Sequence, residues 1–308
     1  MDTVSIARIQ FLLCTDKLSK TQTLCLSAIY IVLSVATVLG NALILAALRK
    51  VSTLYPPSKL LYSCLAITDL LVGLIAGPAG AAYFIMWNIQ IDSDQWMGFC
   101  GYSVDIAAVS FTVLTTVSLQ TLTALSVDRL LALMLGLRYR QVVTLRRVQA
   151  VAVCVWIPSI AYASMLFWEY YVAKIYGYSL QILCLLVSAV CYSKIFLTLR
   201  RHVAEVQDHV HRNQSNESVP MNLKRYRKTV STAVWVLISL VICYIPHITV
   251  TVLYSVNGPF SLIRTFWGLA GILVFFSSSL NPLLYCWKIK DVRQAVKVTV
   301  RQVLCLAN

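Results

Sequence analysis

The sequence predicts an all-α membrane protein, a bundle of seven transmembrane helices with an amphipathic cytoplasmic helix after the seventh span. Composition is the first observation behind this fold class, because 59% of the 308 residues are hydrophobic and only 12% are charged. Soluble domains carry about 25% charged residues. The second observation is that seven apolar segments are each long enough to cross a bilayer, which takes about 20 residues. Most of this chain therefore has no water to face.

These apolar segments divide the chain into its elements. We predict membrane spans at residues 25–49, 59–87, 99–133, 147–168, 175–200, 226–254 and 262–287. Residues 1–24 then form an N-terminal tail and residues 25–287 a single transmembrane domain. Residues 288–308 are basic and amphipathic, which predicts a helix and tail lying along the membrane surface. The first span, rather than a cleavable signal peptide, is expected to direct the chain to the membrane.

The distribution of Lys and Arg orients the bundle. If the N-terminus is extracellular, the only basic residues on the outer side are Arg8, Lys17, Lys20, Lys174 and Arg264, out of 26 in the chain. Cytoplasmic loops of membrane proteins carry the excess of basic residues, so we predict the N-terminus outside and the C-terminus inside. The net charge of +14 then faces anionic lipid and intracellular partners, and is not the footprint of a nucleic-acid-binding protein.

Polar residues inside the spans mark a functional site, because a charge at mid-membrane is costly. Asp69 lies near the middle of the second span, and Ser118, Ser278 and Asn281 lie at similar depth in the third and seventh spans. Carboxylate, hydroxyl and amide oxygens suit a small hard cation. We therefore predict an allosteric sodium site at these four residues, with an ion-free hydrogen-bond network between the helices as the alternative.

Short motifs accompany these polar residues. Asp128 and Arg129 close the third span in the stretch LSVDRLLAL, and LRYRQVVT follows in the second inner loop. The fourth span carries Trp156, the fifth Tyr192, the sixth the motif CYIP and the seventh the motif NPLLY. In this order and on these spans, the motifs resemble those of the rhodopsin-like (class A) G-protein-coupled receptors, and the resemblance covers nearly the whole chain.

The resemblance implies a multi-pass plasma-membrane receptor that senses an extracellular ligand and activates a heterotrimeric G protein by outward movement of the sixth helix. Such a receptor is not an enzyme and needs no cofactor. The residues that it assigns to coupling and activation are Asp128, Arg129, Leu137, Tyr192, Tyr285, Pro246, Asn281 and Pro282. Among them, Arg129 is expected to lose its contact with Asp128. Leu137 is placed to meet the G protein, with membrane-facing packing as the alternative. Cys305 is expected to be a palmitoylation site, with a free thiol as the alternative.

The resemblance also places a ligand pocket between the third, fifth, sixth and seventh helices. Its expected lining is Asp105, Phe111, Thr112, Thr115, Gln181, Tyr244, His247, Thr251, Trp267 and Phe275. Amine receptors of the family carry an Asp in the third helix where this chain has Phe111, which implies a ligand other than a biogenic amine. An aromatic and hydroxylic lining suits a lipid-like or small apolar ligand, or the aromatic tip of a peptide. Asp105 either meets a basic group of a peptide or is a solvated charge at the rim.

The chain departs from the family pattern at several positions. Val104 stands where the third helix usually carries a Cys, so Cys100 is expected to pair with Cys14 or Cys25 instead. A Cys replaces the proline of the fifth helix, and a Tyr replaces the tryptophan of the sixth. These departures are similar to those of the branch that contains melanocortin, lysophospholipid and cannabinoid receptors, and they permit high basal activity.

Other functions fit the sequence less well. A light receptor of this fold needs a lysine in the seventh span, where residues 265–287 contain none and Phe275 occupies the matching position. A seven-span transporter is one alternative, but the chain shows no inverted repeat. A ligand-independent, constitutively active receptor is the other. An enzyme is not expected, because the four His and twelve acidic residues form no catalytic or metal-binding constellation.

Overall fold

The fold is seen in a computed structural model that describes residues 19–86, 93–213, 235, 237–253 and 261–306. Within these ranges, residues 93–99, 170–171, 202–203, 205–213, 261–264, 287–288 and 303–306 are described by their backbone alone. The predicted all-helical fold is confirmed. Its long helices are α1 (Lys20–Lys50), α2 (Pro56–Met86), α3 (Ser93–Leu135), α4 (Leu145–Trp168), α5 (Tyr170–Asn213), α6 (Leu237–Leu253), α7 (Ser261–Lys288) and α8 (Lys290–Leu306).

Six of these helices are long and apolar enough to cross a membrane, and the described part of α6 is a shorter apolar helix. The beginning of the predicted sixth span, at residue 226, lies outside the described residues. A π-helical turn at Val72–Ala76 interrupts α2, and the second inner loop forms a 3₁₀ turn and a short helix, Tyr139–Val142. The predicted spans therefore correspond to helices, most of which extend beyond the apolar stretch that predicted them.

Local capping explains why the helix ends differ from the predicted spans. Ser19 caps α1. The backbone N–H of Gln22 donates to Ser19 Oγ (3.3 Å), and the backbone N–H of Ser19 donates to the side-chain Oε1 of Gln22 (3.1 Å). The helix thus begins at Lys20, inside the predicted tail 1–24. At the inner end, Arg49 and Lys50 form the last turn of α1, where cations stabilise the helix dipole. Hydropathy predicts the apolar part of a helix, whereas the cap determines where the helix begins.

Helix α3 lies at the centre of the bundle and contacts α2, α5, α7 and the outer half of α4. Helix α1 packs against α2, α7 and α8. The two halves of α4 have different neighbours, because its inner half (Leu145–Cys154) packs against α2, whereas its outer half (Trp156–Trp168) packs against α5. Helices α4 and α5 therefore meet toward the outside.

The amphipathic helix predicted after the seventh span is α8, which is attached to the end of α1. The Lys50 ammonium donates to Gln302 Oε1 (2.5 Å) and to Thr299 Oγ1 (3.1 Å). On the apolar face of α8, Val292 is fully buried in the inner core. Cys305, the predicted lipidation site, lies in this helix, but its side chain is outside the described residues.

One of the two expected disulfide pairings is wrong. Cys100 is disulfide-bonded, whereas Cys25 is a free, exposed cysteine on α1. Cys14, the other expected partner, lies outside the described residues.

Candidate functional site

The inner end of α3 carries an ion pair that the protein holds from several sides. Arg129 donates to Asp128 Oδ2 through Nε (3.0 Å) and Nη2 (2.5 Å). The Tyr139 hydroxyl donates to Asp128 Oδ1 (2.7 Å), and Ser58 Oγ donates to Oδ2 (3.1 Å). Both oxygens of the buried carboxylate are therefore satisfied by α2, α3 and the second inner loop together. We call Ser58, Asp128, Arg129 and Tyr139 the Asp128 network.

Two tyrosine rings in edge-on contact connect this network to α7. The guanidinium carbon of Arg129 lies 5.7 Å from the centroid of the Tyr62 ring, within the range of a cation–π interaction. The Tyr62 ring in turn packs edge-on against the ring of Tyr285, with 4.9 Å between the centroids. The hydroxyls of both tyrosines are buried and make no hydrogen bond with a described residue. Tyr62 therefore lies in contact with both Arg129 and Tyr285.

The other residues assigned to activation occupy the places that the spans predicted. Tyr192 is buried on α5 in the same apolar cluster as Tyr62 and Tyr285. Pro282 lies inside α7 and Pro246 inside α6, where each removes a backbone hydrogen bond. Leu137 is 98% exposed on the 3₁₀ turn of the second inner loop. Its side chain is therefore free to contact another protein.

The four residues of the predicted sodium site lie together in the interior. Asp69 is fully buried; Ser118 Oγ donates to its Oδ1 (2.8 Å) and Asn281 Nδ2 donates to its Oδ2 (2.6 Å). The Ser278 side chain also hydrogen-bonds to Asp69, and Asn41 Nδ2 donates to the Ser278 carbonyl (3.2 Å). The carboxylate and hydroxyl oxygens of this cluster fit a small cation with water. The same contacts satisfy Asp69 without an ion, so sodium binding stays a prediction.

A cavity of about 160 Å³ lies in the outer half of the bundle. Eight of the ten residues expected to contact ligand are in its wall, namely Asp105, Phe111, Thr112, Thr115, Gln181, His247, Thr251 and Trp267. Gln181 and His247 are buried, and Gln181 Oε1 and His247 Nδ1 make no hydrogen bond with a described residue. These two atoms give the mainly aromatic and hydroxylic wall specific points for a polar group.

The two remaining residues expected in the pocket, Tyr244 and Phe275, are not among the described residues that line this cavity. Tyr244 is buried in the inner apolar cluster, where it hydrogen-bonds with Ser277. Phe275 is fully buried behind Tyr30, with 5.7 Å between the ring centroids, and it is Tyr30 that faces the cavity. In both cases the depth in the membrane was predictable, but the rotation of the helix was not.

Comparison with known proteins decides the family. The family described as 7 transmembrane receptor (rhodopsin family) matches residues 40–174 and 164–285. The chain belongs to this family. The receptor is 27% identical over 293 residues to the histamine H2 receptor of Cavia porcellus, which covers 88% of this chain and 77% of that protein. It is 22% identical over 279 residues to melanocortin receptor 5 of Mus musculus, which covers 88% and 83%. It is also 36% identical to the 5-hydroxytryptamine receptor 1D of Homo sapiens over a shorter stretch of 92 residues, which covers 29% of this chain and 23% of that protein.

Membership confirms the predicted class of the receptor, including its multi-pass location in the plasma membrane, and excludes the enzyme and transporter alternatives. The relatives include both amine and melanocortin receptors, so they do not favour the branch suggested by the sequence departures. The ligand therefore has to be argued from the cavity itself.

Several residues that line the receptor cavity were not predicted from the sequence. They lie on the side facing α1, α2 and α4 and at the outer end of α5: Tyr30, Tyr83, Phe84, Tyr162, Leu166 and Lys174. Glycines make room there, because a Cβ at Gly80 would lie 3.0 Å from the Tyr30 ring and one at Gly271 would lie 3.3 Å from its hydroxyl. The glycines and aromatic residues of these apolar spans were the available signal, but the sequence does not indicate that they face one another. Lys174 was predictable only as a basic residue near the membrane boundary.

Proposed function

We propose that this receptor is held at rest by the Asp128 network and that a ligand in the outer cavity releases it, so that Arg129 becomes available to a heterotrimeric G protein. The observation that carries the proposal is the engagement of Arg129, whose guanidinium is shared between the Asp128 carboxylate and the Tyr62 ring. An arginine bound on two sides is not free to contact another protein. Activation must therefore break at least one of these contacts.

The backbone of α6 and α7 supports a movement of the kind that the family uses. Pro246 and Pro282 each leave a carbonyl of the preceding turn without its helical partner, which weakens the helix at that point. Tyr244 and His247 flank Pro246, so the proline lies next to the inner core on one side and the cavity on the other. A ligand that binds one arrangement of α6 better than the other shifts the population between them. We infer an outward movement of the inner end of α6 as the step that opens the site for the G protein.

The cavity favours a ligand other than a biogenic amine. Amine receptors of the family place an Asp at the position of Phe111, and here that position is a ring packed 5.8 Å from the His247 ring. Asp105 also faces the cavity, but it shares the wall with Lys174, whose positive charge opposes that of an ammonium. Desolvating a cation without a dedicated counter-ion is unfavourable. We propose a lipid-like or small apolar ligand, or the aromatic tip of a peptide, with a polar group that meets Gln181 and His247.

Nucleotide exchange tests the proposal. Purified receptor in lipid nanodiscs is mixed in turn with the main classes of heterotrimeric G protein, and GTP-analogue binding is followed over time. We expect the receptor to accelerate exchange on at least one class, and Arg129→Ala to remove that acceleration. Arg146→Ala is the matched control, because Arg146 is an exposed arginine outside the Asp128 network. Equal exchange by Arg129→Ala and the unmodified receptor would overturn the role of Arg129.

A further inference from the structure

A second cavity, of about 510 Å³, lies on the inner half of the bundle and is separate from the ligand pocket. It forms where α4 and α5 separate: the outer half of α4 packs against α5, whereas the inner half packs against α2. On the outer side the two helices are joined by Tyr162, Leu166 and Ala173, which form a buried cluster of their own. Below this cluster, α3 forms the floor of an open groove. We call this space the α3–α5 groove.

The walls of the α3–α5 groove are almost entirely aliphatic. Val127 and Leu131 of α3, Val151 of α4, and Leu183 and Val187 of α5 all line it. Its volume falls within the range of about 300–1,000 Å³ that is typical of sites for small molecules and cofactors. The polar groups of its deep end are bonded within the protein: Gln120 Nε2 donates to Ser159 Oγ (2.9 Å), and Thr123 Oγ1 donates to the Cys184 carbonyl (3.3 Å). The deep end therefore suits hydrocarbon.

The mouth of the groove has the opposite character. Arg147 lines it at the inner end of α4, and its Nη1 donates to the Val142 carbonyl (2.7 Å), which holds the guanidinium at the edge of the groove. Arg147 is exposed and forms no ion pair with a described residue. It lies in the first turn of α4, where the helix dipole also favours an anion, although its own backbone N–H already donates to Thr144 Oγ1 (3.5 Å). Guanidinium groups bind phosphate oxygens well because of their planar, forked donors.

We propose that the α3–α5 groove is a binding site for one anionic phospholipid of the inner leaflet, with an acyl chain along the aliphatic walls and the phosphate at Arg147. Charge complementarity selects this occupant, since the mouth is basic and the inner leaflet carries the anionic lipids. The remaining donors of the guanidinium bond the phosphate oxygens, and the chain covers aliphatic surface that the protein leaves uncovered. Asp128 also lies in the wall, so the bound lipid is next to the Asp128 network.

The test is native mass spectrometry of the full-length receptor. The receptor is equilibrated in mixed micelles that contain phosphatidylserine and phosphatidylcholine in equal amounts and with identical acyl chains. It is then released from the micelles in the spectrometer, and the lipid that stays bound is identified by its mass. We expect the unmodified receptor to retain phosphatidylserine in preference to phosphatidylcholine. Arg147→Gln should reduce retained phosphatidylserine by roughly fivefold, the contribution of one basic residue near an anionic headgroup. Its control is Arg146→Gln, which removes a neighbouring exposed arginine that does not line the groove.

A second pair of variants tests the acyl-chain site. Val127→Trp fills the groove, whereas Val153→Trp adds the same ring to the exposed face of α4 outside it. Val127→Trp should reduce retained lipid of both kinds, and Val153→Trp should not. If Val127→Trp fails to fold, Ala124→Leu is the smaller filling variant. The proposal is overturned if Arg147→Gln and Arg146→Gln retain lipid equally, if filling the groove has no effect, or if the unmodified receptor is a lipid-free dimer that Val127→Trp dissociates.

Discussion

The guanidinium carbon of Arg129 lies 5.7 Å from the centre of the Tyr62 ring. The same Tyr62 ring packs edge-on against the ring of Tyr285. Arg129 thus contacts its own helix through Asp128, α2 through Tyr62, and α7 through the ring beyond it. Each of these contacts is present in the structure. In the proposed mechanism, the release of Arg129 therefore depends on several helices at once.

The hydrogen bond from Tyr139 to Asp128 can be removed by deleting a single oxygen atom. Tyr139→Phe removes the hydroxyl that donates to Asp128 Oδ1 (2.7 Å) and leaves the ring in place against Tyr55. A hydrogen bond to a charged group contributes about 1.5–3 kcal/mol, so the resting state should weaken and basal nucleotide exchange should rise by roughly tenfold or more. Tyr102→Phe, an exposed tyrosine at the outer end of α3, is the control. Unchanged basal exchange in Tyr139→Phe would show that this hydroxyl does not stabilise the resting state.

Sodium should favour the resting state through Asp69. Basal exchange is expected to be lower in sodium chloride than in N-methylglucamine chloride at the same ionic strength, because a cation bound to one state stabilises that state. Asp69→Asn removes the charge that holds the ion and keeps a side chain of similar shape, so its basal exchange should be the same in both salts. If the unmodified receptor responds equally to the two salts, the cluster of Asp69, Ser118, Ser278 and Asn281 is a hydrogen-bond network without an ion.

The cavity wall predicts how the receptor responds to amines. Histamine, serotonin and dopamine should not stimulate nucleotide exchange, because Phe111 occupies the position of the family's counter-ion and Lys174 lies in the same wall. The informative variant is Asp105→Ala, which removes an acidic group of the cavity. A potent monoamine agonist whose action survives Asp105→Ala would contradict the proposed ligand class.

Close packing of α4 against α5 depends on a glycine. A Cβ at Gly177 would overlap the Tyr162 ring, which is buried in the cluster that joins the two helices. Gly177→Ala should therefore cost about 1–3 kcal/mol of stability, the usual effect of overpacking. Gly101→Ala is the matched control, because nothing lies within 4 Å of a Cβ at that position and alanine is the better helix former. Thermal unfolding of the solubilised receptor compares the two, and equal midpoints would show that α4 moves aside at no cost.

Depth in the membrane was the part of the structure that the sequence predicted well. Asp69, Ser118 and Asn281 lie on three spans at one level, and their meeting required only that the helices pack together. The ion pair of Asp128 and Arg129 was likewise expected from adjacent residues and a family motif. In both cases the relevant property was position along a helix, which a single sequence states directly.

Rotation and neighbouring helices were the parts that it did not predict. Phe275 was expected in the cavity but is shielded from it by Tyr30. This could not be predicted, because no property of either span indicates which helix faces meet. The role of Tyr62 could not be read from the second span, where a tyrosine is an ordinary apolar residue. The α3–α5 groove depends on α4 having different neighbours along its length, which is a property of the packed bundle alone.

The most direct test of the account is basal nucleotide exchange by Asp128→Asn. The substitution keeps the size of the side chain, removes the charge that binds Arg129, and leaves a weaker acceptor for Ser58 and Tyr139. If the Asp128 network holds the receptor at rest, Asp128→Asn must raise basal exchange above that of the unmodified receptor at equal surface expression, and adding Arg129→Ala must abolish the increase. Basal exchange that stays the same or falls in Asp128→Asn would contradict the account.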